Sequence, residues 1–382
     1  MNLKIIKTVA IFLLMSLGIS CSSSTNEPVS TPSSTVVPTS IISISPTPIS
    51  TSISTPLPTP SNTPVVLESL ETINFTNVSS ITKLRSFRIE TNYVLSLSWS
   101  EDSSQVYVLG REGTFEVWDV AKGEPIAIYD KLDQNGVSVG WNPALNLVAY
   151  QDFDTNDIIV RDVTSGNVLY NIGKITRLVQ NALSVDWSPD NSKIVSIGWD
   201  ETLKVWNAST GEEIQTITSN TSWFESADWS PDGQFIAAGN QDGLVRIIRT
   251  TDWKTIYSLQ GHIGYHEGGV PIVTWSPDSS KVASGGRDDR SVFVWSAQGS
   301  KLEQLCCNPL WVFSVAWSPD NSMIASGGEG WEVTIWNANT GLELYRIEDH
   351  KPITFGIAWS PNGRFLATSN QQGEVIIWGI FP

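Results

Sequence analysis

Residues 183–217 read LSVDWSPDNSKIVSIGWDETLKVWNASTGEEIQTI, and this stretch sets the architecture of the whole chain. Leu183, Val185 and Trp187 alternate with Ser184 and Asp186, the period of a half-buried strand. Ser188-Pro189-Asp190-Asn191 follows as a tight turn, because proline presets φ and Asp and Asn tolerate turn geometry. Lys193 to Gly198 reads as a second strand, and Trp199-Asp200-Glu201 turns the chain again. Leu203, Val205 and Trp206 mark a third strand, Ser209-Thr210-Gly211 breaks it, and Glu213 to Ile217 supplies a fourth. Four short strands punctuated by turn residues, with no helical period, predict an all-β unit.

The unit recurs along the chain. Trp99, Trp141, Trp187, Trp229, Trp275, Trp317 and Trp359 each precede a WSPD-like turn, at spacings of 42, 46, 42, 46, 42 and 42 residues. A second column follows at 19 or 20 residues: Trp118, Arg161, Trp206, Ile248, Trp295, Trp336 and Trp378. One unit of this length cannot bury a hydrophobic face alone, so the copies must pack on each other. Both columns read as packing anchors without chemistry of their own.

The repeat resembles the WD40 repeat, the four-stranded blade of a β-propeller. The resemblance covers residues 81–382 and implies seven blades. It has departures: only Trp118-Asp119 keeps the literal WD pair, and the Gly-His before the first strand stands only at Gly261-His262, with an echo at Asp349-His350. By resemblance, His262, Ser284, Asp289 and Trp295 form a buried hydrogen-bond chain, and the other blades depend on packing and turns. After Val375 to Trp378 the sequence stops at Pro382, so the last repeat lacks a fourth strand, while Lys83 to Glu90 aligns with fourth-strand segments such as Leu342 to Glu348. The expected fold is therefore an all-β, seven-bladed β-propeller closed by an N-terminal strand that completes the last blade and removes the sheet edge.

The first 80 residues differ in kind. Lys4 and Lys7 precede an apolar run from Val9 to Ile19, too short to span a bilayer and proportioned like a signal peptide over residues 1–20. Leu17-Gly18-Ile19-Ser20-Cys21 resembles a bacterial lipoprotein junction, which implies lipidation of Cys21; ordinary secretion is the alternative. Residues 21–80 read as a Ser/Thr/Pro-rich linker, with Pro46-Thr47-Pro48 and Pro58-Thr59-Pro60 in its core. Such composition cannot bury a core, and at ~3.1 Å per residue its proline-rich part reaches on the order of 100 Å. The expected location is extracytoplasmic, as a bacterial membrane-anchored lipoprotein touching the membrane only through its lipid.

Charge narrows the partners. The chain holds 23 basic and 39 acidic residues, of which residues 1–80 contain only Lys4, Lys7, Glu27, Glu68 and Glu71. The propeller is left with 21 basic against 36 acidic residues, a net of −15, so it would repel phosphate and no nucleic acid partner is expected. Cys306-Cys307 allow a strained vicinal disulfide or two free thiols; strand neighbours point to opposite faces, which favours thiols. Three histidines, His262, His266 and His350, are few for acid–base catalysis. Gly136-Val137-Ser138-Val139-Gly140 matches a hydrolase nucleophile elbow but lies inside a first strand, not at a strand-to-helix turn. Asp152 to Asp157 begins with calcium-like spacing but lacks the central glycine and the closing glutamate. No catalytic residue, metal or cofactor is expected, and a propeller-based hydrolase ranks third among the functions weighed.

Five tryptophans lie outside both columns: Trp199, Trp223, Trp253, Trp311 and Trp331. Trp223 and Trp311 stand six residues before a first-column tryptophan, as Tyr93 does, while Trp199 and Trp331 lie in turns between second and third strands. In the family both kinds of loop open on the end that usually meets partners, and Trp253 falls in a turn at the other end. Exposed aromatics bury large area at low entropy cost on binding. Tyr93, Trp199, Trp223, Trp311 and Trp331 are therefore the expected partner-binding face of a monomeric, non-catalytic scaffold for a protein or peptide. A carbohydrate-binding module using the same aromatics is the alternative.

Overall fold

The computed structural model describes residues 69–382, apart from 90–93, 111–113, 130–138, 143–144, 152–156, 164, 175–181, 199, 264–268, 306–309, 349 and 351–352. Cys21, the linker core, Tyr93, Ser138, Asp152, Trp199, His266, Cys306 and Cys307 lie outside the described residues.

Seven four-stranded antiparallel sheets follow one another as the blades of a propeller. Blade 1 runs over residues 94–129, blade 2 over 139–174, blade 3 over 182–218 and blade 4 over 224–260. Blade 5 covers 272–305, blade 6 covers 312–347, and blade 7 joins 354–379 to the earlier strand Thr82–Arg88. At every junction but that of blades 1 and 2, the first strand of one blade meets the first strand of the next among the described residues, for example Ala182–Trp187 against Phe224–Trp229, and Val94–Trp99 against Thr354–Trp359. First strands are thus the inner strands.

Burial explains the local sequence. Second strands such as Lys193–Gly198 and third strands such as Thr202–Asn207 are covered on both faces by neighbouring blades, so they read as apolar runs. The fourth strand Glu213–Thr218 is exposed or half-buried and carries polar residues. The core sits at the blade junctions: Ala237, Val245, Ile247 and Leu259 of blade 4 pack with Val273, Trp275, Phe293 and Trp295 of blade 5. The column tryptophans are buried there, except Trp141, which is half-buried, as is Arg161 at the matching place in the second column.

The first column does more than fill space. The indole N–H of Trp187 donates to the Gly140 carbonyl at 3.1 Å, Trp275 to Asp228 at 3.2 Å, Trp317 to Thr274 at 3.2 Å and Trp99 to Ala358 at 3.0 Å. Each bond runs to the inner strand of the preceding blade. The WSPD turn is held by side chains: the Ser188 hydroxyl donates to Asp190 at 2.6 Å, and the Lys193 N–H donates back to Ser188 Oγ at 2.9 Å. Burial pushes the Asp190 carboxyl up, but hydrogen bonds from Ser188 and Ser192 outweigh it and hold it at about 2.

Closure by an N-terminal strand is corrected. No sheet is closed; all seven are open, and Thr82–Arg88 pairs only with Glu374–Gly379, forming a new edge itself. Four strands twist too little and enclose too little to curl into a barrel, so a strand added to a blade moves the edge without abolishing it. The expected linker also ends earlier than residue 80. Leu70, Ile73 and Val78 are buried, and the Ile73 N–H donates to the Gly363 carbonyl at 2.9 Å.

Candidate functional site

Two kinds of loop meet at one end of the propeller. The Trp223 carbonyl, just before the inner strand of blade 4, accepts the Gln241 N–H from the turn after the second strand at 3.1 Å. Trp311 and Glu329 repeat the contact in blade 6 at 3.1 Å. Trp331 sits two residues beyond Glu329 in that same turn. Trp223, Trp311 and Trp331 therefore share an end. Trp253 lies between third and fourth strands, at the opposite end of blade 4.

Their surroundings differ. Trp223 is half-buried beside a buried ion pair, in which Arg287 Nη1 donates to Glu225 Oε1 at 3.0 Å. Burial pushes the Glu225 carboxyl up, against the pull of the Arg287 charge. Trp311, also half-buried, meets Phe313 edge-on at 6.1 Å, and Phe313 stacks on Phe355 of blade 7 at 5.7 Å. Phe313 and Phe355 are half-buried and extend the aromatic strip across two blades, which counting tryptophans had missed. Trp331 is 50 % exposed.

Trp331 and Trp253 also share an unusual backbone. Both occupy the left-handed region, at φ 62° and 57°. In the turn of Trp331, blades 4 and 7 place Gly243 and Gly373 at that point, while blades 3 and 5 place Glu201 and Arg290 there at φ 61° and 55°; in the turn of Trp253, Gly123, Gly166, Gly211 and Gly341 hold the matching position. A tryptophan there carries backbone strain that glycine does not. Trp253 offsets it by covering its blade, meeting Trp229 edge-on at 6.3 Å. Trp331 has half its surface in solvent and no such cover.

The four-residue chain around His262 is formed. His262 Nδ1 bonds Asp289 at 2.8 Å, His262 Nε2 bonds Ser284 Oγ at 2.8 Å, and Trp295 Nε1 donates to the same hydroxyl at 2.8 Å. The other blades keep more of it than packing and turns. Trp206 donates to Ser196 at 2.8 Å, Trp336 to Ser326 at 2.8 Å and Trp378 to Thr368 at 2.7 Å. His350 is buried and bonds Thr354 Oγ1 through Nδ1 at 2.8 Å, and its Nε2 has no partner among the described residues. Burial lowers its pKa to about 4. Among the described residues no group of three or more His, Cys, Asp or Glu is arranged to hold a metal ion.

Several known proteins are similar to this chain in sequence. The chain is 25 % identical over 244 residues to the WD repeat-containing protein 26 homolog of Arabidopsis thaliana, covering 53 % of this chain and 40 % of that protein. It is 30 % identical over 121 residues to the ribosome biogenesis protein WDR12 homolog of Nematostella vectensis, covering 31 % and 28 %. It is 23 % identical over 241 residues to the WD repeat-containing protein srw1 of Schizosaccharomyces pombe, covering 61 % and 34 %. The chain thus spans less than half the length of each of these relatives. They are eukaryotic proteins, one named for ribosome biogenesis, and not bacterial membrane lipoproteins; the extracytoplasmic, lipid-anchored location expected from the first 80 residues is corrected on that finding. Residues 177–207, 211–249, 253–296, 299–337 and 341–379, half of the chain, match the family described as WD domain, G-beta repeat, and the protein is a member of that WD40 family.

Proposed function

We propose that this chain is a non-catalytic scaffold that binds a protein or peptide on the end of the propeller carrying Trp223, Trp311 and Trp331. WD40 propellers are non-catalytic interaction scaffolds in general, which supports the class of function and names no partner. Trp331 carries the choice of end. A large aromatic held in a glycine conformation, half exposed and uncovered by its own blade, gains from a partner what it does not gain from the fold. Tyr93 and Trp199 belong to the same proposed face by their position in the repeat.

Partners captured by crosslinking to the wild-type protein should be lost from W331G and W311A at an unchanged melting temperature. L342A, in an exposed turn at the opposite end, should retain them. Retention of the same partners by both tryptophan variants would overturn the assignment. Capture of glycans in place of proteins, abolished by W331G, would assign the face to sugars.

A further inference from the structure

At the end of the propeller opposite Trp331, the turn after each inner strand is tied to the matching turn of the next blade by one side chain. The Asp232 N–H donates to Ser279 Oγ at 3.0 Å, the Asp278 N–H to Asn321 Oδ1 at 3.0 Å and the Asn362 N–H to Ser103 Oγ at 3.2 Å. At the junction of blades 2 and 3, Asn191 Oδ1 accepts from the Asn142 side chain at 2.6 Å. Each accepting residue stands in the left-handed region, with φ between 60° for Ser279 and 63° for Asn321. Blades 4 and 7 hold Gly233 and Gly363 at this place, at φ 73° and 69°. No side chain there can reach back to Asp190 or Asp320.

The two gaps differ. A Cβ at Gly233 would meet Pro189 alone within 4 Å among the described residues. One at Gly363 would stand 3.2 Å from Thr72 Cγ2 and 3.4 Å from Pro319 Cγ. Here the segment before the first strand adds a wall. A cavity of about 270 Å³ lies between Pro319 and Asp320 of blade 6 and Trp359 and Pro361 of blade 7, with Thr72 and Ile73 on its third side.

The acceptors around this cavity are engaged within their own turns. Asp320 Oδ1 accepts from the Ser318 hydroxyl at 2.6 Å and the Ser322 N–H at 3.1 Å, and Asn362 Oδ1 accepts from the Ser360 hydroxyl at 2.8 Å and the Arg364 N–H at 3.0 Å. The donors are less well served. Gly363 offers no oxygen to the Asp320 N–H, and the buried indole N–H of Trp359 has no partner among the described residues. The indoles of Trp141 and Trp229 share that lack, but Tyr107 covers the first at 4.2 Å and Trp253 the second at 6.3 Å. Trp359 borders the cavity instead.

A ligand matched to these walls presents an acceptor and an apolar body, and brings no N–H, since a buried donor without a partner is costly. The Asp320 carboxylate repels an anion. An X–Pro peptide unit meets all three conditions: its carbonyl accepts, its ring is apolar and its nitrogen carries no hydrogen. Its preset extended backbone also loses little entropy on docking. We propose that the cavity binds a proline-containing extended segment of a partner protein, with a carbonyl of that segment taking the Asp320 N–H in place of the missing side chain. The site is separate from the aromatic end and does not depend on it.

The probe is N-acetyl-hexaproline amide, titrated into the isotopically labelled full chain and followed by NMR. The Asp320 amide and Trp359 indole resonances should shift and saturate. N-acetyl-hexaalanine amide, with an N–H on every residue, should leave them in place. G363N restores the residue type that blades 3 and 6 use at this position, with Asn191 and Asn321 tolerating the same backbone. It should abolish the titration at an equal or higher melting temperature, while W331G should titrate like the wild type. No saturable shift in the wild type, an equal shift in G363N, or an equal response to hexaalanine would overturn the proposal. Movement of the Trp359 resonance on alanine substitution of Pro56, Pro58, Pro60 and Pro64, with no peptide added, would also overturn it by giving the cavity to the chain's own residues.

Discussion

A left-handed backbone angle costs a residue with a Cβ about 1–2 kcal/mol and costs glycine almost nothing. For Trp253 and Trp331 the side-chain surroundings therefore set the net effect. W331G should leave stability unchanged or raise it by up to about 1 kcal/mol, because strain is relieved and little packing is lost. W253G should lose about 2–3 kcal/mol, since its contact with Trp229 goes too. Chemical denaturation of both variants checks the contrast; a loss in W331G equal to that in W253G would remove the reason for assigning Trp331 to binding. S284A should cost about 2–3 kcal/mol, because it strands both His262 and Trp295, whereas S196A strands only Trp206 and should cost about 1–2 kcal/mol. His350 makes stability depend on pH. Its folded pKa lies below the ordinary 6.5, at about 4, so stability is lost as pH falls through that interval. NMR titration of its ring should show a neutral imidazole down to the low value, and H350L should remove this acid-sensitive component. The pairing of His262 with Ser284 was legible because each residue stood at its place in the repeat. The bonds from the Trp229 and Trp275 N–H groups to Asp186 and Asp228 of the preceding blades were not, since they use positions that the repeat leaves free.

At the scale of strands and blades, periodicity carried nearly everything. Trp187 and Trp206 stand in columns, and columns imply stacked units; the turn at Ser188-Pro189-Asp190-Asn191 separates the first two strands of its blade. The indole-to-carbonyl bonds between blades were invisible because their acceptors are main-chain groups of another repeat, and no side-chain pattern marks them. The strip Trp311–Phe313–Phe355 was half visible: Trp311 stood outside the columns, but Phe313 and Phe355 alternate on inner strands like any core residue. Tilt of the sheet, not sequence period, decides how far such a residue is covered. Pairing of Thr82–Arg88 with blade 7 makes a prediction at this scale. Phe87 stacks on Trp118 of blade 1 at 4.2 Å, so deleting residues 82–88 should weaken blades 7 and 1 together. Limited proteolysis should then cut within residues 354–382 well before it cuts blade 4. Equal cleavage of the two regions in the deleted protein would show that the strand is dispensable.

Over the whole molecule, blade 1 touches blade 7 as it touches any neighbour, so no blade is terminal in the way that the end repeats of a solenoid are. Unfolding should accordingly be one transition, with tryptophan fluorescence and far-ultraviolet circular dichroism superimposing in denaturant. Separate midpoints would show blades melting independently. W206A, at a buried anchor, should shift that single midpoint by the equivalent of ~3–5 kcal/mol. The strand Thr82–Arg88 and its partner Glu374–Gly379 are 286 positions apart, counted from Arg88 to Glu374, so Thr82–Arg88 leaves the ribosome before the other described strands and waits longest for its partner. Until then it waits with a bare edge, the condition under which chains aggregate. Its sequence, TKLRSFR, holds Lys83, Arg85 and Arg88 within seven residues of a chain whose net charge is −16. Three like charges repel a second copy of the same strand while the acidic remainder of its own chain attracts it, which turns a delay in folding into a choice of partner.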